Sequence, residues 1–434
     1  MSVMQIVYWL AILGVFSFLY WLGAKRAVTL WVRVLSALVV GIVAGFIFGD
    51  AVETIKWVGD LFVRLIRMLV VPIIFTTLVA GLLSMGDPKK LGSIGSKAVI
   101  LYMMTTAVAI CIGLFLGVVF QPGIGIELAA VSSQGVQPAA AVVDRFLGII
   151  PTNPVAALAE GDVLAIIVFS LLFGTGIVLA GDKGRPVGDA ITSAAEAMLK
   201  VAHIVMELAP YGVFALVAWV AGTMGTETIL KLLTLVIIVY VACVLHAVLV
   251  YGGLIKFFLK LPSVRFFRGI IDAQAVAYST ASSSATLPVT LTCVEENLGV
   301  KPSVASSVLP LGATINMDGT ALYLGVVAVF SAQVFGIDLA MTDYVMIAVT
   351  VTLASIGTAG VPSASLFLLS TILPVIGISV EQTALIVRLI LPIDRILDMA
   401  RTTVNVSGDA AVAVTVGKLE GELDEETFRK VATV

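Results

Sequence analysis

The chain has 434 residues, 60% hydrophobic and only 12% charged, with a mean hydropathy of +1.12 and a formal net charge of −3. Soluble proteins carry about 25% charged residues, so a water-soluble fold is excluded, and the absence of a basic run argues against nucleic acid as a partner. The composition is that of an all-α polytopic membrane protein, with length for about eight or nine crossings.

Residues 4–22 carry no basic segment ahead of the apolar stretch and no small-residue cleavage site before Lys25-Arg26. They read as a retained span with aromatic interface residues rather than a signal peptide. Further apolar spans run at about 29–49, 60–85, 95–120, 162–180, 190–223 and 227–258. Basic clusters at Lys25-Arg26-Arg33, Lys89-Lys90-Lys97, Lys183-Arg185 and Lys256-Lys260-Arg265-Arg268 mark alternate loops as cytoplasmic. The N-terminus is then outside, as is the Pro-, Gln- and Ser-rich loop 121–161, which contains Pro151-Thr-Asn-Pro154. Pro210 is expected to kink its span. Asp60, Arg64 and Arg67 share one helical face and read as snorkelling or interhelical pairing. Cys111, Cys243 and Cys293 stand at no metal or redox spacing and read as small core residues, and His203 and His246, outside any polar motif, read as packing.

After residue 268 the spans break. Residues 269–298 are interrupted by Ser279-Thr-Ala-Ser-Ser-Ser-Ala-Thr-Leu-Pro288, and each side is too short to cross the roughly 30 Å of hydrocarbon. A hairpin entering from the cytoplasm fits. Residues 303–335 are broken by Asn316-Met-Asp-Gly-Thr320. Residues 343–378 repeat the hairpin pattern, with a tip at Ser355–Ser365. The last helix, 381–417, carries Asp394, Asp398, Arg401, Asn405 and Asp409 at spacings of four, three, four and four. At 3.6 residues per turn they fall within an arc of roughly 80°. The tail Lys418–Lys430 is charged and is expected to be soluble and cytoplasmic. The order hairpin, broken helix, hairpin, polar helix, with Asn-x-x-Gly at 316–319 and again at 405–408, is an inverted repeat of discontinuous helices, as in secondary transporters.

Ionisable groups inside a membrane cost at least about 2.5 kcal/mol each, so the stripe must face protein, water or ligand. A structural salt-bridge ladder is the simpler alternative, but it needs no Thr402, Asn405 or Gly408. A site for a zwitterion and cations uses all of them. Ser282-Ser283-Ser284 has no His or Lys in its hairpin to act as base, so a hydrolase is disfavoured. Its hydroxyls serve as helix caps, and the helix N-termini suit a carboxylate. Asp318, with carbonyls freed at the break, makes a hard-oxygen site suited to Na⁺. Tyr102, Thr105 and Thr106 add hydroxyls in an apolar helix, which alone is weak, since such groups often serve packing.

The motifs Ser282-Ser-Ser-Ala-Thr-Leu-Pro288, Leu309-Pro-Leu-Gly-Ala-Thr-Ile-Asn-Met-Asp-Gly-Thr320, Gly357-Thr-Ala-Gly-Val-Pro362 and Asp398-Met-Ala-Arg-Thr-Thr-Val-Asn-Val-Ser-Gly-Asp409 resemble the glutamate/aspartate transporter family, the dicarboxylate/amino acid:cation symporters. Gly59–Arg64 and Ile150–Pro154 add to the resemblance, which runs in order from about residue 29 to 417. It implies the glutamate-transporter fold, with two re-entrant hairpins (near 269–298 and 343–378), as a homotrimer in the cell membrane working by an elevator mechanism. The implied organisation is an extra N-terminal transmembrane helix (1–28), scaffold (29–87 and 121–225), transport domain (88–120 and 226–417) and cytoplasmic tail (418–434).

The resemblance also implies the ligands. Arg401 would bind a side-chain carboxylate and Asp398 the amino group. Ser283, Thr402 and Asn405, with backbone at Ala281 and Val361, would hold the remaining head group, and Thr320 would complete the pocket. About three Na⁺ would accompany each substrate: one at Gly312, Asn316, Asn405 and Asp409, a second at Thr314, Ser355, Ile356 and Thr358, a third at Tyr102, Thr105, Thr106, Asn316 and Asp318. The presence of both Arg401 and Asp398 favours L-aspartate or L-glutamate over neutral amino acids or C4-dicarboxylates. Leu324 stands where animal relatives carry a proton-linked glutamate. The auxiliary arginine is absent at Ala281 and Met399, with Arg395 as its candidate replacement, and Ser363 and Ser365 replace glycines. The expectation is a Na⁺-driven acidic amino acid symporter and not an enzyme. The alternatives are a proton-coupled glutamate or C4-dicarboxylate carrier and an anion channel.

Overall fold

The computed structural model describes residues 3–26, 28–84, 88–126, 150–356, 363–366 and 368–430. Its first half runs α1 (Val3–Ala24), α2 (Leu30–Phe48), α3 (Lys56–Ser84), α4 (Pro88–Phe120), α5 (Pro154–Glu160), α6 (Val163–Leu179), α7 (Arg185–Met206), α8 (Ala209–Thr223) and α9 (Gly225–His246). Its second half runs α10 (Ser263–Gly269), α11 (Ile271–Thr280), α12 (Ser283–Thr292), α13 (Pro302–Ile315), α14 (Asp318–Val334), α15 (Met341–Ile356), α16 (Leu369–Ile372), α17 (Val380–Leu419) and α18 (Glu425–Arg429). Among the described residues there is no strand, only an isolated bridge between Val300 and Leu423.

Gln5–Ala24, Leu30–Leu83, Gly92–Phe120, Gly225–Phe258 and Pro302–Val334 are long and apolar enough to cross a membrane. Helices α7 and α8 meet that test together but bend by 49° at their junction. The kink expected at Pro210 is therefore present, with Pro210 in the first turn of α8, where its missing N–H breaks no helical bond.

Helix α2 meets α8 through Gly41, Gly45 and Gly222, small residues that let the two backbones approach closely. α1 lies against this pair. Its Tyr8 hydroxyl is 2.9 Å from Thr54 Oγ1, and Phe16 sits edge-on to Tyr211 and Phe214. Asp60 pairs with Arg388 of α17 at 3.0 Å, so the interhelical reading of that cluster holds for Asp60.

The deepest part of the molecule is α14, buried from Asp318 to Ala332, with α4, α9, α15 and α17 around it. A capping box fixes the start of α17: Ser379 Oγ accepts from Gln382 N and Gln382 Oε1 accepts from Ser379 N. From Ile386 on, α17 is buried along almost its whole length, polar stripe included.

The tail packs against the body: α18 folds back, burying Phe428 completely, while Asp424 N donates to Gly299 O and Lys301 N donates to Glu422 O. An aromatic side chain inside a charged segment finds an apolar seat at one end of hairpin and helix. At the same end, hydrogen bonds from Lys97 (2.7 Å) and Ser93 (2.6 Å) hold the Glu420 carboxyl below its usual range. Cys243 and Cys293 are buried as expected, but Cys111 is exposed on α4. An apolar sequence does not distinguish a core face from a face turned outward in a chain built for lipid.

Candidate functional site

Both breaks foreseen in the sequence are structured. α11 ends at Thr280, and Ala281 takes a left-handed conformation, φ 51° and ψ 43°. That conformation costs a non-glycine residue about 1–2 kcal/mol. Ser282 then caps α12, its hydroxyl accepting from Ala285 N at 3.2 Å. α13 stops at Asn316, whose ψ of 90° is extended, and α14 restarts at Asp318. Gly319 is the one residue that fits here: a Cβ would lie 2.7 Å from Arg401 Cα and 2.8 Å from its carbonyl carbon.

The first cluster surrounds Arg401. This guanidinium is wholly buried. Its Nη2 is 2.9 Å from Asp394 Oδ1 and 3.0 Å from Asp398 Oδ1, and the Tyr323 ring lies 4.0 Å beneath it. Among the described residues Nε and Nη1 have no partner. A buried N–H without an acceptor costs about 1–3 kcal/mol, more for a charged donor, so these two donors, on opposite edges of the guanidinium, leave room for a further acceptor such as a carboxylate oxygen. The other oxygen of Asp398 accepts a 2.8 Å bond from the backbone of Ser363, itself left-handed at φ 61°. Asp398 thereby ties α17 to the second hairpin. Arg395, also buried, ties it to the first, donating from Nη2 to Thr280 O at 3.2 Å. The residue suggested as replacement for an arginine at the hairpin tip thus stands beside that tip.

The second cluster is made of oxygen. Asn316 Nδ2 donates to Asp409 Oδ1 and to Asn405 O, both at 2.9 Å, leaving its buried Oδ1 without a partner among the described residues. Gly319 N donates to Asn405 Oδ1 at 2.8 Å. Gly312 keeps space open here: a Cβ on it would strike the Asp409 carboxylate and come within 2.5 Å of the Tyr102 hydroxyl. On the far side of Asn316, Asp318 is gripped by Thr106 Oγ1 (2.5 Å to Oδ1) and the Tyr251 hydroxyl (2.8 Å to Oδ2). Among the described residues no group of three His, Cys, Asp or Glu could hold a transition metal. Carboxylate, amide and hydroxyl oxygens in this mixture suit a hard cation.

The structure therefore brings Asp398, Arg401, Asn405, Asp409, Asn316, Asp318, Tyr102, Thr106 and Gly312 into two adjoining clusters. Ser283, Thr320 and Thr402 are buried near by, as is Thr105, whose hydroxyl bonds Tyr102 O at 3.1 Å. Thr314 and Ser355 are each satisfied within their own helix, by Leu311 O at 3.0 Å and Thr352 O at 2.9 Å. Thr358 and Val361 lie outside the described residues, as does the side chain of Ile356.

Comparison with known sequences gives this geometry a context. Residues 30–419 match the sodium:dicarboxylate symporter family. The chain belongs to that family. The symporter is 38% identical over 413 residues to a proton/sodium-glutamate symport protein of Geobacillus stearothermophilus, covering 92% of this chain and 97% of the relative. It is 36% identical to a proton/glutamate-aspartate symporter of Escherichia coli, over 91% and 93% of the two chains. It is also 34% identical to a C4-dicarboxylate transport protein of Azorhizobium caulinodans, over 92% and 90%. The family and these relatives are transporters rather than enzymes, so the symporter is an all-α polytopic membrane protein that carries no catalytic centre. α1 lies wholly ahead of the matched residues.

Besides Tyr251, three residues at the symporter's site were not assigned from sequence. Asp394 was placed on the stripe without a role, yet it is a direct partner of Arg401. Tyr323, whose ring underlies the guanidinium, sits in an apolar helix with nothing to distinguish it. His246, read as packing, is fully buried with Nε2 3.2 Å from Asp318 Oδ2. The only signal for it was a histidine inside an otherwise apolar membrane helix, which by the cost of polar groups in lipid calls for a partner.

Proposed function

We propose that this protein is a Na⁺-coupled symporter of acidic amino acids, L-aspartate and L-glutamate. The observation that carries the reading is Arg401: buried, held by two carboxylates through one nitrogen, with Nε and Nη1 left for an anion. A substrate carboxylate would accept from one of those free donors, and Asp398, one helical turn away, would take the substrate's amino group. Ser283, Thr402 and Asn405, with the backbone at Ala281 and Val361, would hold the α-carboxylate and amino group, and Thr320 would line the pocket.

Charge balance supports cation coupling. Asp318, Asp394, Asp398 and Asp409 are buried with Arg395 and Arg401, so with all ionised the core carries two excess negative charges. An acidic amino acid adds one more. Uncompensated charge in low dielectric is costly by several kcal/mol per ion, and about three monovalent cations restore neutrality. Protons would also balance charge. Na⁺ is preferred because the unpartnered Asn316 amide oxygen ligates a cation and does not take up a proton near neutrality. The cations would sit at Gly312, Asn316, Asn405 and Asp409, at Thr314, Ser355, Ile356 and Thr358, and at Tyr102, Thr105, Thr106, Asn316 and Asp318.

The same reading takes residues 88–120 and 226–417 as a transport domain moving as an elevator against a scaffold of 29–87 and 121–225. The assembly would be a homotrimer in the cell membrane with the N-terminus outside and the C-terminus cytoplasmic. The hairpin ties through Asp398 and Arg395, which join both hairpins to α17 as one body, support it.

Ligand discrimination tests the substrate assignment. In calorimetry on purified protein in NaCl, L-aspartate or L-glutamate is expected to bind, with succinate and L-asparagine each weaker by at least about thirtyfold, because succinate brings no ammonium to Asp398 and L-asparagine brings a neutral amide instead of a carboxylate to Arg401. Succinate binding as tightly as L-aspartate would remove the amino-group role of Asp398 and favour a C4-dicarboxylate carrier.

A further inference from the structure

The buried polar group that the proposed mechanism leaves unused is His246. It is the last residue of α9, and the five residues after it, Ala247–Tyr251, form a π-helical turn. In an α-helix, side chains five residues apart point about 140° away from one another. The wider π turn reduces that angle, and His246 and Tyr251 meet edge to face with ring centroids 4.8 Å apart. Both reach the same atom. Tyr251 OH donates to Asp318 Oδ2 at 2.8 Å, and His246 Nε2 lies 3.2 Å from it. All three side chains are fully buried. The backbone irregularity therefore has a product: two donors from one helix converging on one carboxylate oxygen.

With both hydrogen bonds directed at Oδ2, the rotation of the Asp318 carboxylate is fixed. Thr106 marks where the other oxygen, Oδ1, must point. A carboxylate that ligates a cation works best when its orientation is set in advance, because the ordering cost is then met in folding rather than in binding.

We propose that His246 is a positioning residue for cation binding: its Nε2–H, together with the Tyr251 hydroxyl, locks Asp318 in the orientation that receives Na⁺. The inference rests on the proposal that Asp318 ligates Na⁺. His246 touches neither cation nor amino acid; it acts through Asp318. Among the described residues its Nδ1 has no partner, so the Nε2 hydrogen bond is the polar link of the ring to them.

The test is a Na⁺ titration of thermal stability on the purified protein, with choline chloride holding ionic strength constant, followed by L-aspartate binding at saturating Na⁺. His246→Leu removes the donor and keeps an apolar filling. His246→Gln places an amide N–H close to the position of Nε2. The Na⁺ midpoint is expected to rise about 10- to 100-fold in H246L, the usual effect of losing an orienting partner of a ligand. In H246Q it should stay within about threefold of wild type, and at saturating Na⁺ both variants should bind L-aspartate with near-wild-type affinity. Should H246L not survive purification, His246→Asn replaces it, since its amide is too short to reach Oδ2. An unchanged midpoint in H246L or H246N, or an equal rise in H246Q, overturns the positioning role. Absence of any Na⁺-specific stabilisation in wild type would instead refute the Na⁺ reading on which the inference rests.

Discussion

Replacing Arg401 with alanine is expected to abolish accumulation of L-aspartate and to lower the stability of the purified protein. The two losses have different origins. Asp394 and Asp398 both depend on Arg401 Nη2, and removing one side of a buried ion pair costs about 3–5 kcal/mol because the remaining charge is left uncompensated. The cation–π contact with Tyr323 is lost as well. The substrate loses the free donors Nε and Nη1. Arg401→Lys separates the two. Lysine retains the positive charge and so should retain most of the stability, but a point-like ammonium cannot pair with two carboxylates and still present the fixed planar donors of a guanidinium. L-aspartate affinity in R401K should therefore fall at least about tenfold while the melting temperature stays close to wild type. Calorimetric affinity and thermal unfolding, measured on the same preparations, check this. A lysine variant that binds L-aspartate as tightly as wild type would show that the guanidinium is not the recognition element.

The second large effect is expected from the smallest substitution, Gly312→Ala. Within α13, alanine should be the better residue, by roughly 0.8–1 kcal/mol of helix propensity. The space outside the helix argues the other way. The added methyl would run into the Asp409 carboxylate and lie 2.5 Å from the Tyr102 hydroxyl, both fully or nearly buried and unable to retreat. Overpacking of this kind costs about 1–3 kcal/mol, which as a binding penalty is roughly 5- to 150-fold. The volume filled is the one bounded by Asn316, Asn405 and Asp409. G312A should thus raise the Na⁺ concentration needed for L-aspartate binding, with the affinity for L-aspartate recovering at high Na⁺. Equal Na⁺ dependence in G312A and wild type would mean that this niche does not hold a cation.

The sequence was most legible where a periodic pattern met an energetic penalty. Charged residues on a membrane helix must be paired or functional, and the spacing of Asp394, Asp398, Arg401, Asn405 and Asp409 put them on one face; all five are buried on α17. Breaks at Ser279–Pro288 and Asn316–Thr320 were legible because serine, proline and glycine interrupt apolar runs too short to cross a bilayer. What the sequence hid were contacts between distant segments. His246 finds Asp318, 72 residues away, through a π-helical turn that no residue pattern announces. Asp60 finds Arg388, a partner from the far end of the chain. Phe428 looked like one residue of a solvated tail until α18 was seen to seat it. Local composition reports what a residue costs to bury, not which neighbour offsets that cost.

The most direct test of the account is uptake of labelled L-aspartate into proteoliposomes under an inward Na⁺ gradient or an inward proton gradient, each applied alone. Accumulation above equilibrium with the Na⁺ gradient, and none with protons alone, is the predicted result. Accumulation driven by protons in the absence of Na⁺ would contradict the cation assignment at Asn316, Asp318 and Asp409 while leaving the recognition of the amino acid by Arg401 and Asp398 in place.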